Sequence, residues 1–406
     1  MQFKAEQLGE SGGSIFRATL LVPLLVLLLT LFGLIALFSA GYSMSLREPL
    51  AAVTRQAIYV PIALLAGWLA WRIDLNWLRT YRYWILGIVV VLLALARVPG
   101  IGRMVNGSWR WIDFGWFRLQ PSDLAKVVLV ILVADTIARN QRRMLPLKGD
   151  FFKLSSRSPY VLTPAAWLDL KSGYLIPMSW AVLLCGMIAL GPDLGTLVLC
   201  GAVALAMVFV GRARFRYLAV TIVVASAGFY WLVVNWPSRL RRFFSFLDPE
   251  GRQMDESYQL YQGMLAFACG GIGGVGPGNG LQQRAYLPEA HTDFVFTIIG
   301  EEWGLIATVG VAGVYLAIFL LMFGALRRAT DLFRMTLALG CVLFITLQAL
   351  VNMCVVTGLL PTKGIALPFI SYGGTNLVAS AILVGLMLNA VRDDGRPDIR
   401  PGMFRT

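Results

Sequence analysis

The segment Leu287-Pro288-Glu289-Ala290-His291-Thr292-Asp293-Phe294 brings two carboxylates and the chain's single histidine together just ahead of a long apolar run. Glu301 and Glu302 follow within that run. An acid placed where an apolar scaffold meets water suits one task above others, taking a proton from an attacking hydroxyl as a general base. Burial at the bilayer edge disfavours the charged form of such a carboxylate and makes it a stronger base. The plainer reading of Asp293 is a helix-start acid that complements the helix dipole or caps free N–H groups. Thr292 is also a suitable N-cap, which would release Asp293 from that duty. At about 100° per residue, Glu301 projects about a quarter turn from Asp293 and can line the same cavity, while Glu302 faces the opposite side. Glu289 is the other acid within reach. His291 reads as a hydrogen-bonding prop, because no His, Cys or Asp spacing resembles a zinc site. Magnesium held by Asp293 and substrate phosphates stays open.

Cations form the second set. Lys126, in Gln120-Pro121-Ser122-Asp123-Leu124-Ala125-Lys126, falls inside an apolar stretch, and an intramembrane cation marks a site or a buried pair, here with Asp123 as the nearby acid. Arg110 stands between Trp109 and Trp111, where it can bind a pyrophosphate or anchor at the interface. Lys363 follows Leu360-Pro361-Thr362, and Ser371 opens the polar, glycine-rich Ser371-Tyr372-Gly373-Gly374-Thr375-Asn376. Lys363 can neutralise a pyrophosphate leaving group. The small and hydroxyl residues suit close helix packing or a wet cavity. Gly271-Ile272-Gly273-Gly274-Val275-Gly276 matches GxGxxG, but no strand precedes it. It reads as backbone pressed against another helix or a lipid-linked substrate, not as a nucleotide loop.

The elements that must position these groups are membrane helices. The chain has 406 residues, 58% of them hydrophobic and 14% charged. Apolar runs near 20 residues recur, each able to cross a hydrocarbon core of roughly 30 Å. Ten spans are expected, at 19–41, 53–71, 82–97, 123–139, 174–190, 194–211, 216–235, 304–325, 334–358 and 367–390. The fold class is all-α and polytopic, with an 18-residue N-terminal tail, a large outer loop over 236–303 and a tail from 391. The net charge of +13 does not point to nucleic acid, since the basic residues lie in short loops. Of 35 Lys and Arg, 22 fall in the segments on the side of the termini and 12 on the other, so both termini are expected in the cytoplasm. Five cysteines without a CxxC pair argue against a disulfide or zinc framework. The first apolar run lacks a cleavage site and reads as a retained span.

Five pieces together resemble the SEDS family, named for shape, elongation, division and sporulation. They are Asn106 to Ile112, Gln120 to Lys126, Gly191-Pro192-Asp193-Leu194-Gly195-Thr196, Leu287 to Gly304, and Asn352 to Thr375. Within the family the chain looks more like the division member than the elongation member. It departs from the family pattern at Thr375-Asn376 and at Trp303. The resemblance implies an inverting peptidoglycan glycosyltransferase that polymerises lipid II outside the bacterial inner membrane at the division septum. It carries the family's essential aspartate onto Asp293. That acid would deprotonate the acceptor 4-hydroxyl, and undecaprenyl pyrophosphate would leave from the donor, with Arg110, Lys126 and Lys363 offsetting its charge. The implied partners are a class B penicillin-binding protein, the division transpeptidase FtsI, and the activators FtsQ, FtsL and FtsB. Two other functions compete, a lipid II flippase and a non-catalytic division scaffold that recruits a transpeptidase.

Overall fold

The computed structural model describes residues 2–44, 51–105, 108–115, 117–140, 167–168, 170–191, 193–211, 213–235, 240, 246, 258–281, 291–326, 331–362 and 364–392. Among them are eleven α-helices. In chain order these are α1 Gln2–Met44, α2 Ala51–Arg72, α3 Leu75–Leu95, α4 Pro121–Asn140, α5 Ile176–Ala189, α6 Leu194–Val210, α7 Phe215–Val234, α8 Tyr258–Gly270, α9 Val295–Leu326, α10 Leu332–Val356 and α11 Gly374–Val391. A π-helical turn, Lys171–Leu175, leads into α5. Seven helical stretches are long and apolar enough to cross a membrane, and α6 and α7 are shorter apolar helices. The chain is therefore an integral membrane protein built of helices.

Four helix starts differ from the apolar limits. α1 begins at Gln2 and not at 19, so the helix runs back through the expected N-terminal tail. The other three differ for local reasons. α3 begins at Leu75, seven residues before the expected 82, because Asp74 caps it by accepting from Asn76 N at 2.8 Å. α9 begins at Val295, not at 304. Its apolar run is interrupted at Gly304, whose φ of 73° breaks the helix without ending it. α11 begins at Gly374, and the preceding 367–373 is a turn. There Ser371 Oγ accepts from Leu367 N at 2.8 Å, and Tyr315 on α9 donates to the Pro368 carbonyl. Phe369 in this turn is buried with φ 66°, a strained left-handed conformation. Gly33 lets α1 press against it, since a Cβ there would meet Ile370 Cα at 2.7 Å.

α4 is the centre of the bundle and packs against α3, α5, α6, α10 and α11. It is almost wholly buried yet carries Asp123, Lys126 and Asp135, and each buried charge has a partner. Asp135 holds Arg79 at 2.8 Å, Arg82 at 2.9 Å and Arg139 at 2.7 Å, all basic residues of the side that carries the termini.

Two pieces of the other side complete the site. A three-stranded antiparallel sheet, β1 Gly102–Val105, β2 Ser108–Asp113 and β3 Arg118–Leu119, was not expected between α3 and α4. Asp113 ties it together, paired with Arg103 across β1 and with Arg118 at 3.6 Å across β3. The second piece is the glycine run after α8, which docks on the break in α9. Val275 N donates to the Glu301 carbonyl and Gly276 N to that of Glu302, both at 3.0 Å, and Leu305 N donates to Gly271 O at 2.9 Å. The loop thus satisfies the backbone groups that Gly304 frees. Gly274 has no room for a Cβ against the Glu302 carbonyl. The expectation of backbone pressed against a helix describes this segment.

Candidate active site

Asp293 sits two residues before α9 and is half-buried. Two elements fix it. Asn352, deep in α10, donates from Nδ2 to the Asp293 carbonyl at 2.8 Å and to the Ile365 carbonyl at 2.7 Å. The same amide therefore fastens the 364–366 segment beside Asp293. Gly364 lies so close that a Cβ there would stand 2.6 Å from Asp293 Oδ2. On the near side Tyr372 N donates to the His291 carbonyl at 3.0 Å, and the two rings lie 5.8 Å apart. His291 acts here through its backbone and its ring contact, in the manner of a prop.

The Asp293 carboxylate faces a cavity of about 190 Å³ that also holds Arg110, Trp111, Lys126, Gln348, Tyr372 and Asn376. Its floor is a continuous polar network between α4, α10 and α11. Lys126 Nζ donates to Asp123 Oδ1 at 2.8 Å and to Gln348 Oε1 at 3.0 Å. Gln348 Nε2 donates in turn to Asn376 Oδ1 at 2.9 Å and to the Ala366 carbonyl at 2.7 Å. Gln120 and Ser122 reach Asp193 Oδ2 at 3.4 and 3.3 Å, and Asp193 caps α6 through Thr196 N. Lys126 and Asp123 are thus a buried, hydrogen-bonded pair whose charges cancel.

Arg110 differs. It projects from β2 into the cavity, and its buried Nε has no hydrogen-bond partner among the described residues. A buried guanidinium donor left open at a cavity wall is suited to an anionic ligand.

The structure therefore brings Asp293, Arg110 and Lys126 to one cavity. Glu301 and Ser371 point elsewhere. Glu301 is buried, and its Oε1 accepts from Leu281 N at 2.7 Å, holding the glycine loop. Glu302 does the same with Gly278 N at 2.9 Å and Ser39 of α1 at 2.6 Å. The Ser371 hydroxyl is used within its own turn. Glu289 and Lys363 lie outside the described residues. Among the described residues no group of three or more His, Cys, Asp or Glu comes together as a metal cluster. Gln348, Asn352 and Gly364 were not singled out from the sequence. Gln348 and Asn352 stand four apart in an apolar run, a spacing that puts two amides on one face of α10.

Comparison with known proteins gives the family and the fold. The family model covering the FtsW, RodA and SpoVE cell cycle proteins matches residues 19–395. A Geobacter metallireducens protein named "Probable peptidoglycan glycosyltransferase FtsW" is 37% identical over 385 residues, 94% of this chain and 96% of that protein. A Coxiella burnetii protein of the same name is 35% identical over 377 residues, 90% of this chain and 94% of that one. Among solved structures, a chain from a peptidoglycan synthase complex, described as coordinating polymerization and crosslinking, superposes with TM-score 0.70 at 25% identity. The match covers 91% of this chain and 96% of that one. The rod shape determining protein RodA of Thermus thermophilus superposes with TM-score 0.64 at 24% identity, over 93% and 97% of the two chains.

Proposed function

The chain belongs to the FtsW, RodA and SpoVE family of cell cycle proteins, and from that premise we infer that it is a membrane-embedded peptidoglycan glycosyltransferase whose general base is Asp293. The observation that supports the base most directly is its setting. The carboxylate opens onto a cavity with an unsatisfied Arg110 donor on the wall, while Asn352 and Gly364 fix its backbone and its clearance.

In this reading lipid II is the substrate, and the growing lipid-linked glycan is the donor. Asp293 takes the proton of the acceptor 4-hydroxyl as that oxygen attacks the donor's anomeric carbon from the face opposite the phosphate. A new C–O glycosidic bond forms, the anomeric C–O–phosphate bond breaks, and undecaprenyl pyrophosphate leaves with the electron pair. The configuration inverts. Such a leaving group departs without a general acid, so a second catalytic carboxylate of the kind paired in glycoside hydrolases is not needed. Arg110 offsets the pyrophosphate charge. Lys363, next to Gly364 in sequence, is a second candidate. Lys126, committed to Asp123 and Gln348, shapes the floor and contributes little net charge. Magnesium carried by the pyrophosphate would find Asp293 as its carboxylate ligand, the one-carboxylate mode this ion accepts, and no step here is routed through it.

In this reading both termini lie in the cytoplasm and the Asp293 cavity on the outer face of the inner membrane, a topology that the distribution of basic residues supports. The partners this reading implies are the class B transpeptidase FtsI and the activators FtsQ, FtsL and FtsB, at the division septum. A lipid II flippase is the second reading, favoured by the polar network that runs between α4, α10 and α11. Purified protein reconstituted with its transpeptidase and labelled lipid II separates the two. Glycan strands are expected. Lipid II that crosses the bilayer without being joined would transfer the case to the flippase.

A further inference from the structure

Asn376, in the first turn of α11, is 8% exposed and lines the Asp293 cavity. The direction of its amide follows from its neighbours. Lys126 is an ammonium and only donates, so the Gln348 atom that meets it at 3.0 Å is the side-chain oxygen. The Ala366 carbonyl only accepts, so the Gln348 atom that meets it at 2.7 Å is the nitrogen. With Gln348 fixed at both ends, its other N–H donates to Asn376, which must present its oxygen, at 2.9 Å. The Asn376 NH2 group is thereby turned away from the network. Its Nδ2 has no acceptor among the described residues, and its donors are left to the cavity.

The adjacent Thr375 ties this amide to Arg110. Its hydroxyl donates to the Arg118 carbonyl at 3.0 Å and accepts from Gln120 N at 3.2 Å. Arg118 and Leu119 form β3, which pairs with Asp113 and Ile112 of β2, the strand that carries Arg110. One turn of α11 therefore carries a neutral donor and holds the sheet that carries a cationic one, and both line one cavity. A diphosphate has several terminal oxygens and takes several donors at once, more than one guanidinium Nε supplies.

We propose that Asn376 is a second contact to the diphosphate leaving group, beside Arg110, and that Gln348 is the positioning residue that turns its NH2 group toward it. The proposal rests on the glycosyltransferase reading above and names a residue of its leaving-group site.

The test is binding of undecaprenyl pyrophosphate, and of undecaprenol, which shares the chain and lacks the anion, to purified full-length protein. The wild type is expected to prefer the diphosphate by about 10²-fold, the scale of two hydrogen bonds to a charged group. Asn376→Leu, similar in volume and without a donor, is expected to lower that preference by about tenfold. Asn376→Ser keeps a hydroxyl that can accept from Gln348 and donate to the ligand, and should stay within about threefold of wild type. Loss of the Gln348 bond alone would weaken both ligands alike and leave the ratio unmoved. If Asn376→Leu fails to fold, Asn376→Asp, which keeps the acceptor oxygen for Gln348 and removes the donor, decides in its place and should lose at least as much. A wild type without the preference would contradict the glycosyltransferase reading together with this one. A wild type with the preference and an Asn376 variant lacking the donor with an unchanged ratio would overturn this inference alone.

Discussion

One side-chain amide, that of Asn352, donates to the Asp293 carbonyl at 2.8 Å and to the Ile365 carbonyl at 2.7 Å. Asn352 is 1% exposed, and water does not replace those bonds when the amide is lost. The backbone at Asp293, the proposed general base, is therefore held from within α10, a helix distant from it in sequence. Asn352→Ala leaves two buried carbonyls unsatisfied, at about 1–3 kcal/mol each. The expected outcome is normal membrane insertion, a lower melting temperature, and lipid II turnover reduced by about tenfold or more as Asp293 drifts. Asn352→Asp keeps the shape but removes the donor and should lose turnover to a similar extent. Normal turnover in both variants would show that the strap does not position the base.

Gly364 makes a sharper test, because it adds bulk without removing a bond. A methyl group there would stand 2.6 Å from Asp293 Oδ2, and the carboxylate must move. Gly364→Ala should cut kcat by about 10²-fold, the scale of a 1 Å misplacement, while the protein's yield and melting temperature change little. Full activity would place the working carboxylate elsewhere.

Lys126 and Asp123 separate structure from catalysis. Removing the lysine alone strands a buried carboxylate, so Lys126→Met should destabilise the protein by about 3–5 kcal/mol. Lys126→Met with Asp123→Leu should recover much of that stability, read from thermal melts in detergent. If the double variant folds and polymerises, Lys126 is a strut. If it folds and is inactive, the lysine touches substrate.

Much of this arrangement was legible in the sequence, and the part that was not has physical causes. Lys126 inside an apolar stretch, with Asp123 three residues away, read as a site cation or a buried pair, and the structure shows the pair, because a charge in that setting must be matched. Asp293 at the head of a helix was equally readable. The strands around Arg110 were not, since β3 has two residues and β2 six, and their aromatic and basic residues also suit an irregular outer loop. The partners of Gln348 and Asn352 include the carbonyls of Ala366, Ile365 and Asp293, and a sequence does not say which carbonyl a buried amide will find. Glu301 looked like a site candidate because acids are rare in this chain, while Glu302 was expected to face the opposite side. Their carboxylates accept backbone N–H groups from the glycine loop, a demand created by the break at Gly304, which only the fold reveals.

Asp113 supplies a pH prediction for the outer sheet. A side-chain hydrogen bond from Arg103, with the Gly115 N–H and the Arg103 and Arg118 charges, holds its carboxyl below the usual carboxylate range. A depressed folded-state pKa contributes stability that is present above the unfolded value, roughly 3.9, and is lost as pH falls through the folded value. Hydrogen exchange of the 102–119 amides, corrected for intrinsic rates, should be flat from pH 7 to 5 and rise only in stronger acid. Asp113→Asn should remove that acid dependence. Loosening already at pH 6 in the wild type would point to a different group.

The central claim rests on one carboxylate, and one substitution tests it. Purified protein with its transpeptidase partner is given labelled lipid II, wild type against Asp293→Asn, which keeps the side chain's size and removes its basicity. The account predicts glycan strands from the wild type and none from the variant, with both equally folded and equally bound to the partner. Strands of normal length and rate from Asp293→Asn would contradict it.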